Sequence, residues 1–162
     1  MRSTVGRIND VIHAAAISQV LTQVLEPGEE VTVRPSLAAG NDPSRPFDVE
    51  TNLRVAEFKI AEWKGKDAMR KRGVFADLVN LAADDSDRKA QLYVVADAPI
   101  HFLRSSTSSA SWGLNRSGPN TRERYAERFD PEWKLSISEF TAGPAAHVEL
   151  IDLRTFLPAL GG

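Results

Sequence analysis

The sequence contains no cysteine, so disulfide scaffolds, thiolate zinc sites and cysteine nucleophiles are all excluded. It has no apolar run long enough to span a bilayer. The first residues lack the uninterrupted apolar core of a signal peptide, because Asn9, Asp10 and His13 intrude. The expectation is a cytoplasmic protein without a membrane partner. Neither sign of charge dominates, with 20 Lys plus Arg against 22 Asp plus Glu and a formal net charge of −2. That balance excludes a basic coat over the whole surface but leaves room for a local basic patch. No internal repeat or heptad run is present. A Gly-x-x-x-x-Gly-Lys phosphate loop, a Gly-x-Gly-x-x-Gly dinucleotide fingerprint and a Gly-x-Ser-x-Gly nucleophile elbow are all missing. His13, His101 and His147 are too scattered for a local metal signature and read as structural. What remains is 162 residues, 42% hydrophobic and 26% charged, the make-up of a single domain over residues 1–162.

Periodicity divides the chain into elements. Ile8, Val11, Ile12, Ala15, Ala16, Val20, Leu21 and Val24 recur at helical spacing, and Pro27-Gly28 stops the helix. Val31 and Val33 alternate with polar residues, as in a half-buried strand. A turn cluster at 39–46 precedes two extended segments, Phe47 to Glu50 and Val55 to Ile60, close enough to form a hairpin. In the second, 56, 58 and 60 form a mostly apolar face and 57 and 59 a polar pair. Helical spacing returns from Lys66 to Ala83, with Gly73 inside it marking a kink or a close contact. Gln91 to Ala96 reads as a buried strand. Beyond Pro99 the expected elements are a short helix starting at Ile100, a long loop at 104–121, and a helix from Thr121 to Phe129. Two strands follow, Trp133 to Phe140 and His147 to Leu153, and then a C-terminal turn. Three strands between two helices, and a strand after the second helix, predict a mixed α/β sheet flanked by helices.

One constellation carries chemistry. Residues two apart on a strand share a face, so Glu57 and Lys59 emerge together, and a hairpin brings Asp48 beside them. Two carboxylates and an ammonium at a strand edge make a hard-oxygen site for a divalent cation. Magnesium held there would activate water and neutralise charge developing on a phosphodiester. Spacing alone decides nothing, because the chain contains acid-x-Lys four times: Glu57/Lys59, Glu62/Lys64, Asp87/Lys89 and Glu132/Lys134. Only the first lies inside an alternating apolar run, with an acidic strand before it and a helix after it.

The succession of helix, three strands carrying Asp48 and then Glu57-Phe58-Lys59, helix and strand resembles the PD-(D/E)XK, restriction-endonuclease-like nucleases. The stretch Arg70-Lys71-Arg72-Gly73-Val74-Phe75 to Ala82 likewise resembles the helix that follows the motif in several branches. The resemblance implies an αβββαβ core over about residues 8–97, with an additional α/β tail over about 98–162. It implies a metal-dependent endonuclease that hydrolyses DNA phosphodiester bonds, with Asp48 and Glu57 as magnesium ligands and Lys59 assisting the attacking water. Manganese would substitute for magnesium. Family members often have Pro directly before the Asp, whereas Phe47 intervenes here between Pro46 and Asp48. Glu50 shares a strand face with Asp48 and is an alternative ligand. Enzymes of this kind that cut both strands often pair two copies, which makes a homodimer an expectation. The alternative function is a catalytically inert module of the same fold that binds nucleic acid or protein.

Charge distribution fits a nucleic-acid partner. From Lys59 to Arg72 lie six bases (Lys59, Lys64, Lys66, Arg70, Lys71, Arg72) and two acids (Glu62, Asp67), a local excess of +4. Lys64, Lys66, Arg70, Arg72 and the loop residue Arg116 are the candidate DNA contacts, with Trp63 placed among them to stack on a base or a sugar. A solvated helix face is the plainer reading of the same charges. Asp77 and Asn80 read as intrahelical or helix-sheet polar contacts. Tyr125, Phe129 and Trp133, spaced four apart, read as core.

Overall fold

The computed structural model describes residues 4–34 and 46–161. Most of the predicted turn cluster, 39–45, lies outside them. The described elements begin with α1 (Thr4–Val24), β1 (Val31–Val33), β2 (Val49–Thr51), β3 (Arg54–Lys59), α2 (Ala68–Ala82) and β4 (Lys89–Val94). The helical tail follows as α3 (Asp97–Ser105), α4 (Ala110–Gly113), α5 (Pro119–Arg128) and α6 (Ile137–Ala142), and β5 (Glu149–Asp152) completes the sheet. The chain is α/β, with five described strands in the open order β1-β2-β3-β4-β5. The β1–β2 and β2–β3 pairings are antiparallel, and β3–β4 and β4–β5 are parallel. None of the described helices is long and apolar enough to cross a membrane.

Alternation along β3 assigns its side chains to two layers. Ala56 and Phe58 face α1, where they join Ile17, Val20, Leu21, Val49, Tyr93 and Leu153 in one core. Val55 faces the other way, into a larger core built from Val74, Phe75, Leu78, Leu81, Leu92, Val94, Tyr125 and Phe140. Glu57 and Lys59 have the parity of Val55, so they project toward α2. Their expected shared face is therefore the face that α2 covers.

A buried ion pair ties the α1 side together. Arg54 is 3% exposed. Its guanidinium pairs with Glu29 through Nε and, at 2.8 Å, through Nη2. The same group donates to Val24 O at the end of α1 (2.9 Å) and to Gln91 Oε1 on β4 (2.9 Å). The bond from Arg54 holds the Glu29 carboxyl down at about 2, against the opposing effect of burial. One residue thereby joins α1, the following loop, β3 and β4.

Four expectations need correction. Trp133 to Phe140 is not a strand: α6 begins at Ile137, and Ser136 and Glu139 close a capping box at its start. The strand-like pairing there is an isolated antiparallel bridge between Ser109 and Ser136, outside the five strands. The predicted loop 104–121 contains the end of α3, all of α4 and the start of α5. The apolar stripe of α1 is buried only in its second half, since Ile8, Val11 and Ile12 are each more than half exposed. Gly73 has no neighbour within 4 Å of where a Cβ would sit, so close packing does not account for it. A closely packed glycine occurs instead at Gly113, where a Cβ would collide with the buried ring of Phe75. The Tyr125 stripe is core as expected, with its ring against Trp133 and Phe140 at centroid distances of 4.6 and 5.4 Å.

Candidate active site

Local register builds the site. The β2–β3 ladder pairs Val49 with Ala56 and Glu50 with Val55. Continued by one residue, it sets Asp48 opposite Glu57, the position of closest side-chain approach between antiparallel strands. Asp48 is anchored there by the Phe58 N–H, which donates to Oδ2 at 3.0 Å. The third carboxylate comes from α2. Val74, Leu78 and Leu81 bury one face of that helix against the sheet, and Asp77 on the same side reaches Lys59, with Oδ2 2.8 Å from Nζ. Despite that short distance, Asp77 Oδ2 has no hydrogen bond of good geometry and is shielded from solvent.

The electrostatics follow from crowding. Burial raises the Glu57 carboxyl well above the carboxylate range, and the charges of Asp77 and Asp48 and a hydrogen bond shared with Asp48 raise it further. Burial likewise raises Asp77, opposed by the charge of Lys59. Lys59 is pushed up, chiefly by Asp77, and stays an ammonium throughout the physiological range. Its side chain is 42% exposed against 17% for Asp77, so the cluster opens to solvent at the lysine.

Three expected residues, Asp48, Glu57 and Lys59, therefore meet. Glu50 does not join them: it pairs with Arg88 at 3.1 Å. Among the basic residues, Arg70 is engaged by Asp67 at 2.8 Å, while Arg72 lies over the Trp112 ring at 4.6 Å. Lys64, Lys66 and Arg116 are exposed and form no ion pair among the described residues. Asn80 points elsewhere, accepting from Thr121 and Arg124 of α5. Asp77 makes the helix-sheet contact read from the sequence, but to the candidate lysine itself. His13 enters from α1: its Nε2 is 3.1 Å from Phe58 O and 3.8 Å from Asp48 Oδ2. Nothing local in the sequence signals His13, because its proximity depends on how α1 crosses β3.

The donor set suits a hard cation. Magnesium is commonly bound by one or two carboxylates, with water and substrate oxygens filling the remaining positions. Asp48 and Glu57 supply two carboxylates, and a cation between them would offset both the burial and the neighbouring negative charge that raise the Glu57 carboxyl. Among the described residues no group of three or more His, Asp and Glu is gathered for metal binding as it stands. The fit is thus to a two-carboxylate site rather than to an all-protein cage. Comparison with protein-family models, curated proteins and solved structures returns no match, so the chemistry rests on this geometry.

Proposed function

We propose that the protein is a metal-dependent nuclease of the restriction-endonuclease-like kind, hydrolysing DNA phosphodiester bonds. The observation that carries the reading is the crowding of Asp48, Glu57 and Asp77 around Lys59 at the end of the central strand β3, where the cluster opens to solvent through the lysine. Buried carboxylates that repel one another destabilise a fold, and such sites are more often functional than structural. Asp48 and Glu57 would hold magnesium, which when bound supplies positive charge and an activated water. Asp48 is held in place by the Phe58 N–H, and His13 contacts the following peptide through Phe58 O. Lys59, kept protonated by Asp77, acts as a hydrogen-bond donor that orients water or a phosphate oxygen, and it cannot serve as a general base at neutral pH. Lys64 and Lys66, directly after β3, give the backbone of the DNA a counter-charge.

The test is cleavage of supercoiled plasmid and of single-stranded DNA with magnesium or manganese. Wild-type protein should nick or degrade one of them, a chelator should stop it, and Lys59→Ala should lower the rate by roughly 10²-fold or more. Cleavage by Lys59→Ala at the wild-type rate would remove this site from the chemistry. A second reading is favoured by the Lys59–Asp77 pair itself, since a lysine committed to a helix can serve as a structural tie. On that reading the domain binds nucleic acid or protein without cutting, and no metal restores cleavage.

A further inference from the structure

Beyond the carboxylate cluster, the loop from β3 to α2, the first turn of α2 and the helices α3 and α4 line an open cleft of about 890 Å³. That is ample for a ligand of nucleotide size. Its walls carry three aromatic side chains, Trp63, Phe102 and Trp112, together with Lys66, Lys71 and the hydroxyl run 105–108. Trp63 and Phe102 meet edge to face with centroids 5.7 Å apart. The one carboxylate in the lining, Asp67, is already occupied. It accepts from the Lys64 and Gly65 N–H groups and pairs with Arg70. Lys66 and Lys71 form no ion pair among the described residues, and Lys71 lies over the Phe102 ring at 5.6 Å. Next to the cleft, Arg72 stacks on Trp112 with a buried Nε that has no hydrogen-bond partner.

Flat apolar rings beside uncompensated cations and hydroxyl donors match a ligand that is planar, aromatic and anionic. A nucleotide is all three. A paired base presents neither face, because its neighbours in the duplex cover both. We propose that this cleft receives an unpaired base of a DNA single strand, stacked on Trp63, with the adjoining phosphate held by Lys66 and Lys71. The first residue of the cleft, Trp63, lies four residues after Lys59. The proposal rests on the nuclease reading for its choice of nucleic acid, and its test is independent of cleavage.

The experiment is fluorescence anisotropy in excess chelator, with a labelled 12-mer of thymidine and a 12-mer of the same backbone bearing no bases. Wild-type protein should bind the thymidine strand about tenfold or more tightly than the base-free strand, the size expected for loss of base-aromatic stacking. Trp63→Ala should bring the two affinities within about twofold, Trp63→Phe should keep most of the preference, and Lys71→Gln should weaken both strands alike. Equal affinity for the two strands on the wild-type protein overturns the proposal, whatever the variants do. So does a Trp63→Ala protein, folded by circular dichroism, that keeps the preference. A protein that prefers the thymidine strand and never cleaves would remove the nuclease reading and leave the cleft. One that cleaves without a base preference would do the reverse.

Discussion

Glu57→Gln should abolish cleavage and at the same time make the metal-free protein more stable at pH 8. Activity should fall by roughly 10³-fold or more, as for other single changes that disable a catalytic unit. The stability gain follows from linkage. Burial and the neighbouring acids hold the Glu57 carboxyl above its ordinary value of 4.5, so the folded chain keeps a proton that the unfolded chain has released. The unfolded state therefore binds fewer protons across that window, and wild-type stability declines as pH rises from the ordinary carboxylate value toward the raised one. Glutamine has nothing to ionise and escapes the decline. Thermal denaturation at pH 4 and pH 8, in chelator, should show the variant close to wild type at pH 4 and higher-melting at pH 8. A variant that is less stable at both pH values would mean that Glu57 serves packing instead.

Arg54→Met carries the largest expected loss of stability. The substitution strands the Glu29 carboxylate, whose side chain is fully buried beside Thr51 and the end of α1. Removing one partner of a buried pair typically costs about 3–5 kcal/mol, a large share of a domain's total. Urea denaturation at pH 7 should register that loss, and the double variant Glu29→Gln/Arg54→Met should recover part of it. Acid acts on the same pair. Glu29 is held at about 2 in the fold against 4.5 ordinarily, so its contribution is complete above pH 4.5 and is lost as pH falls through about 2. Arg54→Met should lack that acid-side decline. A cost below about 1 kcal/mol at pH 7 would place the pair with weak surface bridges.

The central site was legible because its ingredients are local. A strand of period 2 fixes Glu57 and Lys59 on one face, and a short hairpin sets Asp48 across from them. What local pattern could not supply came from packing between elements. Asp77 is one polar position on an amphipathic helix, and only the seating of α2 on β3 turns it toward Lys59. His13 depends in the same way on α1. Arg54 sits in a strand that alternates as expected, yet period alone says nothing of a guanidinium buried by Glu29. The misread strand at 133–140 has a different origin. Trp133, Leu135 and Ile137 alternate with polar residues and imitate a strand, but Ser136-Ile137-Ser138-Glu139 is a helix start that was there to be read. Pro119, at the first turn of α5, was a similar signal inside the supposed loop.

The most direct test of the account is a calorimetric titration of the wild-type protein with manganese at pH 7.5, repeated in two buffers of different ionisation enthalpy. If Asp48 and Glu57 form the metal site, manganese should bind and release protons, at most one per ion, because the Glu57 carboxyl, raised above its ordinary value, must be ionised to become a ligand. Glu57→Gln should weaken binding and release none. Absence of binding to the wild-type protein, or an identical affinity and proton count in the variant, would contradict the assignment of this cluster as a metal-dependent nuclease centre.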